Sequence, residues 1–302
     1  MMLQDDAAAR GGNFGDDKQS RTAGSPLTQL PVTVVIPVKN EEHNLPRCLE
    51  KLGRFAQIVV VDSDSSDCTR EIAATFNARV LEFKWDGHYP KKRNWVLLNY
   101  NFETPWVLFL DADEYLDAQF CDALIRALDD PAVVGFWLTY TNHFLGRELR
   151  YGVPQRKLSL FRVGAGVYER IEESNWSSLD MEVHEHPVLK GAIGEIRIPI
   201  NHEDYNGLGK FLTKHVQYAK WEARRYFEIA LAEPEKFTRR QRLKYKYITR
   251  WWFSWSYFVY SYVFRLGFMD GQAGFMYAFY KLWYFLSIRR MIYELESEVV
   301  KE

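Results

Sequence analysis

Cysteine is scarce. Cys48, Cys68 and Cys121 are the three in 302 residues, and no two share the close spacing of a zinc motif or a disulfide framework. That excludes a disulfide-stapled scaffold and fits a reducing compartment. Net charge is lacking too: 39 Lys and Arg stand against 40 Asp and Glu, a formal balance of -1. The chain as a whole therefore has no pull on nucleic acid, and no nucleic-acid partner is expected; a charged partner must be met by a local patch. Residues 1 to 29 lack the apolar core of a signal peptide. They carry Asp5, Asp6, Asp16 and Asp17 among Gly, Ala and Ser, and read as a disordered leader with too little apolar surface to offset chain entropy. No internal repeat is present.

What is there is 47% hydrophobic and 16% aromatic, with the aromatics crowded toward the C-terminus. Val32–Ile36 is a β-branched run closed by Pro37, and Ile58–Val61 a second one ending at Asp62; both predict buried strands. Arg79–Phe83, Trp106–Leu110 and Val133–Tyr140 predict three more. Between them Leu45–Leu52, Thr69 to about Phe76, Lys91–Tyr100 and Asp117–Leu128 suit helices, with Asp67 placed to cap the second. Strands alternating with helices predict an α/β domain around a mostly parallel sheet. Residues 141–206 hold Gly, Pro and short strands, and Leu208, Phe211, Leu212, His215, Val216 and Ala219 keep helical spacing. Composition changes sharply beyond 236. The expected organisation is a leader at 1–29, an α/β domain at 30–235 and a helical region at 236–302.

Open parallel sheets bind ligands at the carboxyl ends of their strands. Acids gather at three such ends: Asn40-Glu41-Glu42, Asp62 through Asp67, and Asp111-Ala112-Asp113-Glu114. Carboxylates on one edge repel unless a cation sits among them, and a divalent ion is the economical answer. Mg2+ or Mn2+ completes its shell with phosphate oxygens, so a diphosphate is a natural partner. Lys91-Lys92-Arg93 opens a helix whose N-terminus would face the same phosphates. An Asp-x-Asp in a loop or a lone Lys-Lys-Arg is common on solvated surfaces; the joint order of these pieces is what points to a site.

Val34-Val35-Ile36-Pro37 with Lys39-Asn40-Glu41-Glu42, then Val60 through Asp67, then Lys92-Arg93-Asn94, then Leu108 through Glu114, resembles family 2 glycosyltransferases of the GT-A fold over residues 32 to 140. Val183-His184-Glu185-His186 and Gly267-Phe268-Met269-Asp270-Gly271 resemble a bacterial branch with lipopolysaccharide-core β-glucosyltransferase-like members. The resemblance implies a GT-A (Rossmann-like) nucleotide-sugar-binding domain. It implies that Pro37, Glu41, Asp62, Lys92, Arg93, Asp111 and Ala112 bind a nucleotide sugar, UDP-linked, with Asp62 reading the base, Arg93 near the diphosphate and Asp111 on the ribose side. It implies Asp113 as direct metal ligand. Asp64 stands where relatives commonly have glycine, so an unusual backbone conformation is expected there. His202 is expected to return to the metal as a further ligand beside Asp113 and Asp111.

Such enzymes invert the anomeric centre, and a single displacement needs a carboxylate to take the acceptor's proton. Met181–His186 is the candidate stretch. On a regular strand Glu182 and Glu185 would face opposite ways; the resemblance favours Glu185, with Glu182 second. Trp137, Tyr140 and Trp176 are candidates to stack on sugars, although most such aromatics are core.

Residues 236–250 hold Lys236, Arg239, Arg240, Arg242, Lys244, Lys246 and Arg250 with no acid, and 251–264 follow with nine aromatics. The run is short of the roughly 20 apolar residues a span needs. Trp, Tyr and basic residues favour an interfacial segment on anionic lipid. The expected place is the cytoplasmic face of the inner membrane, peripheral or monotopic, with a glycan or lipid-linked acceptor. A nucleotidyltransferase would want a glycine-rich loop after the first strand, which Lys39-Asn40-Glu41-Glu42 is not. An inactive membrane-tethered scaffold would not need the intact Asp111 and Asp113.

Overall fold

The computed structural model describes residues 29–299 apart from 145, 172, 174, 175, 178, 183, 184 and 231–236. Residues 1–28 of the leader expected at 1–29, with Val183, His184 and Lys236, lie outside the described residues. Strands and helices alternate as expected: β1 (Leu30–Val38), α1 (Leu45–Glu50), β2 (Phe55–Asp62), α2 (Thr69–Thr75), β3 (Arg79–Glu82), α3 (Lys92–Asn99), β4 (Trp106–Phe109), β5 (Glu114–Tyr115), α4 (Ala118–Leu128) and β6 (Val133–Phe144). Five more strands follow: β7 (Arg147–Leu149), β8 (Gln155–Arg162), β9 (Gly166–Tyr168), β10 (Pro187–Leu189) and β11 (Ala192–His202). Then come α5 (Gly207–Arg225), α6 (Arg239–Tyr247), α7 (Phe253–Val259) and α8 (Gly271–Val299), with a π-turn at Tyr260–Phe264 and a 3-10 turn at Gly267–Asp270 between the last two.

One sheet of nine strands runs β3-β2-β1-β4-β8-β6-β11-β5, with β7 beside β6. The β3-β2-β1-β4 half is parallel, as the helical crossovers require. The other half is mixed. β6, β7 and β8 follow one another without a helix, turning at Gly146 and Gly152 with φ of 71° and 87°, so β8 enters antiparallel between β4 and β6. Val34 and Ile36 of β1 pack one way with α1 and α4, while Val35, with Val107 and Phe109 of β4, packs the other way with α3. Burial on both faces explains the continuous apolar runs in β1 and β4.

A third core joins Ala219 and Ala223 of α5, Tyr245 of α6, and Tyr284, Ile288 and Ile292 of α8. α8 is seated on the sheet end through Phe144, whose ring meets Tyr277 and Tyr280 at 5.5 and 5.7 Å. Gly267 and Gly274 let the 3-10 turn and α8 meet: a Cβ on Gly274 would lie 2.1 Å from the Gly267 carbonyl oxygen. Among the described residues no helix is long and apolar enough to cross a membrane.

Candidate active site

The carboxyl end of β4 leads into the turn Asp111-Ala112-Asp113, closed by Glu114 N–H donating to the Asp111 carbonyl at 3.0 Å. β5 then pairs antiparallel with the end of β11, setting His202 opposite Glu114. That pairing brings His202 back to the turn. Its Nε2 lies 3.5 Å from Asp113 Oδ2, and its Nδ1 lies 3.1 Å from Asn142 Oδ1. Asn142 Oδ1 thus meets one ring nitrogen and Asp113 the other, which fixes the orientation of the ring. Burial disfavours the imidazolium, but the Asp113 charge outweighs it and raises the His202 pKa.

Both oxygens of Asp111 are engaged: Oδ1 accepts from Arg93 Nη2 at 2.7 Å and Oδ2 from Lys157 Nζ at 2.6 Å. Burial opposes its ionisation, and the Lys157 and Arg93 charges overcome that and hold its pKa far below the usual carboxylate range. Lys157 also bonds Glu114. Glu114 is fully buried, and burial together with the Asp111 charge pushes its carboxyl up to about 7 despite Lys157. The ligand atoms of Asp113, Glu114 and His202 lie within 4.8 Å of one another. Glu114 rather than Asp111 thus completes the compact acid–histidine group, which departs from the expected Asp113, Asp111 and His202 set. Asp111 is turned to two cations instead. The donor set suits a divalent ion: carboxylate oxygen and one imidazole nitrogen, with the imidazole oriented by Asn142.

Asp111, Asp113, Asn142, Lys157 and His202, but not the fully buried Glu114, line a cavity of about 610 Å³ together with Pro37, Glu41, Arg93, Ala112, Glu182 and Glu185. Arg93 presents a buried Nε without a hydrogen-bond partner, which fits an anionic oxygen. Glu41 is held by Asn44, Asn206 and Lys210, so it clasps the first loop to the start of α5. The far wall comes from α5 and α8: Phe211, Lys214, Tyr218, Tyr277 and Lys281. Burial opposes the Lys214 charge, but Glu41, Asp113 and Asp204 outweigh it and raise its pKa.

Several expected residues sit elsewhere. Asp62 is fully buried and absent from the cavity lining. Its oxygens are taken by Ser65 and by Arg70 Nε at 2.6 Å. Lys92 is likewise absent from the lining; it donates to the Val38 carbonyl at 3.0 Å and pairs with Asp180 at 3.3 Å. Lys91 is buried between Glu173 and Glu185. Of the three consecutive cations, Arg93 alone lines the cavity. Asp64 has the expected special backbone, φ 58°, as does Asn40 at 56°. Trp137 and Tyr140 meet Arg156 and Lys157 rather than the cavity, and Trp176 packs on Trp221.

Glu182 and Glu185 line the same cavity, because the described residues of 181–186 form no strand and the alternation of faces does not apply. Their surroundings differ. Glu182 Oε2 and Oε1 accept from the Arg93 and Asn94 amides at 2.8 and 3.0 Å. It caps α3, whose own N-cap residue Lys91 makes no side-chain cap bond. Glu185 instead meets Lys91 Nζ at 3.2 Å. Lys157, Asn142, Lys214 and Tyr277 are not marked by any motif; Lys157 sits in β8, where a bulge opposite Phe136 and Trp137 breaks the simple alternation of faces.

Residues 33–176 match the model of glycosyl transferase family 2. The lipopolysaccharide core biosynthesis glycosyltransferase LpsC of Rhizobium meliloti (strain 1021) is 30% identical over 185 residues, 57% of this chain and 62% of that one. An uncharacterized glycosyltransferase of Mycobacterium tuberculosis (strain ATCC 25618 / H37Rv) is 36% identical over 101 residues, 33% of this chain and 45% of that one. The chain thus spans less than two thirds of these curated relatives. Among solved structures, S. aureus TarS is similar at 17% identity and a TM-score of 0.43, covering 78% of this chain and 45% of that one.

Proposed function

The chain belongs to glycosyl transferase family 2, and from that premise we propose that it is an inverting, metal-assisted transferase of a sugar from a nucleotide sugar, UDP-linked, to a lipid-linked glycan or a lipopolysaccharide or exopolysaccharide acceptor. The observation that supports the reading is that Asp113, His202, Arg93 and Glu185 line one cavity. Asp113 and His202 would hold Mg2+ or Mn2+. A divalent ion there supplies charge for the leaving diphosphate. Arg93 offers its unpartnered Nε to phosphate oxygen, and Lys157 keeps Asp111 ionised and in place to accept from ribose hydroxyls.

Glu185 is the base in this reading. It lines the cavity and meets the Lys91 ammonium at 3.2 Å. A carboxylate so placed can take a proton from an acceptor hydroxyl entering from the α5 and α8 side. An acceptor in a cell-envelope pathway would be met at the cytoplasmic face of the membrane, with the chain peripheral there.

The test is a thermal-shift screen of nucleotide sugars with and without Mn2+. The expected result is a shift that needs both and that disappears in Asp113→Ala. A shift from nucleotide sugar alone, unchanged in Asp113→Ala, rejects the metal site. Absence of transfer and of slow donor hydrolysis with every nucleotide sugar would favour the scaffold reading.

A further inference from the structure

The exposed surface of the C-terminal helices is apolar and aromatic, and the same segment carries exposed charge mostly of one sign. More than half of the exposed large apolar side chains among the described residues fall within 251–279, a tenth of the sequence. Phe264 is 74% exposed, Trp251 68%, Met269 54% and Trp255 51%. Soluble surfaces rarely gather such residues without a partner. Ring contacts join part of this surface: Tyr262 meets Phe268 at 6.3 Å and Phe275 at 5.7 Å, and Phe275 stacks on Phe279 at 6.3 Å. Residues 237–293 hold ten basic side chains and one acid, Asp270. The Asp270 carboxylate is engaged by the segment after β7, accepting from the Arg150 and Tyr151 amides at 3.1 and 3.0 Å. Arg239, Arg240, Arg242, Lys246, Arg250 and Arg265 are exposed.

We propose that this face docks on an anionic lipid bilayer at headgroup depth and presents the acceptor side of the cavity to it. Trp and Tyr prefer that depth, and basic side chains find anionic headgroups there. No described helix can cross the bilayer, so the contact is monotopic. A second copy of the chain fits less well, because a two-fold contact would bring two basic rims together. The link to the cavity is α8. Tyr277 and Lys281 line the cavity while Phe275 and Phe279 on the same helix are exposed. Phe279 meets Tyr280 at 6.0 Å, and Tyr280 meets the cavity residue Phe211 at 5.9 Å. The docking face stands on these contacts alone; only the acceptor half of the inference rests on the transferase reading.

The experiment is sedimentation of the full chain with phosphatidylcholine vesicles, with and without phosphatidylglycerol, across a salt series. The chain is expected to pellet with the anionic vesicles and to release with salt. The pair Trp251→Ser and Phe264→Ser, together, should weaken binding at least about tenfold. The triple change of Arg239, Arg240 and Arg242 to Gln should remove the preference for phosphatidylglycerol. Both variants should keep the wild-type melting curve and donor hydrolysis in vesicle-free buffer. Vesicle binding that is absent, or equal in wild type and both variants, overturns the docking face. So does a dimer in sedimentation velocity that the aromatic pair converts to monomer. Vesicle binding with no donor hydrolysis by the wild type leaves the face intact and removes the transferase reading instead.

Discussion

Glu182 and Glu185 share a cavity wall three residues apart, and Glu182→Gln separates a structural carboxylate from a chemical one. The Glu182 oxygens accept from two amides at the start of α3, at 2.8 and 3.0 Å. An amide bonded to a charged acceptor contributes about 1.5–3 kcal/mol. Burial opposes the Glu182 charge and raises its pKa despite the two amides and Arg93, so loss of the charge adds nothing to that figure. Glutamine keeps one acceptor and turns its NH2 toward the other amide donor. The expected destabilisation is about 1.5–3 kcal/mol, a fall in Tm of about 3–6 °C for a chain of this size. Activity per folded molecule should fall only a few-fold, through misplacement of Arg93, whose guanidinium also bonds the Glu182 carbonyl. Glu185→Gln should show the reverse. Glu173 still holds Lys91 there, so Tm should change little, while kcat falls about 10²–10⁴-fold as for loss of a general base. Calorimetry and a transfer assay on both variants decide. A Glu182→Gln protein that melts like wild type but has lost transfer by about a hundredfold refutes the assignment and makes Glu182 the base.

Lys157→Met should cost about 3–5 kcal/mol, because it strips the bridging cation from Asp111 and the fully buried Glu114; urea melts should show Mn2+ restoring part of that loss, and equal melts with and without Mn2+ would place the ion elsewhere. Gly274→Ala should lose about 1–3 kcal/mol by driving its Cβ against the Gly267 carbonyl. Gly209→Ala in α5, with nothing within 4 Å, should instead gain about 0.5–1 kcal/mol; equal effects by thermal melt would contradict the tight turn before α8. Asp67 accepts from the Thr69 and Glu42 amides at 3.1 and 3.2 Å; slight burial opposes its ionisation, but these bonds and the Thr69 hydroxyl lower its pKa. Its contribution is therefore present above the unfolded value of about 3.9 and is lost as pH falls through the lower folded value. Asp67→Asn should flatten the fall in stability between about pH 5 and pH 2 measured by urea unfolding, and an unchanged slope would count against these bonds.

The elements were legible where local pattern alone decides them. β1, β2 and β4 are buried on both faces, so their apolar runs stand out from their surroundings, and each leads into an acidic turn at the edge where an open sheet binds ligands. The left-handed backbone at Asp64 followed from one side chain standing where glycine is common. β8 was not legible, because its place between β4 and β6 depends on partners far along the chain, and with it Lys157 was missed. Asp62 and Lys92 lie outside the cavity lining for the same reason. Their positions at a strand end and a helix start are local facts, whereas Arg70, Ser65, Val38 and Asp180 close around them through long-range packing.

By itself the sequence determined the Asp-Ala-Asp turn after a buried strand, the family resemblance around it, and the basic, aromatic C-terminal third. Covalent order suffices for these, since each lies within one element and the loop that follows it. The tertiary structure decided which charges meet. β5 pairing with β11 carried His202 to Asp113, α3 took Glu182 as its cap, and α8 turned one side to the cavity and the other outward. Whether a carboxylate holds a metal, caps a helix or takes a proton depends on what lies within about 3–4 Å of it. Only the folded chain sets those distances.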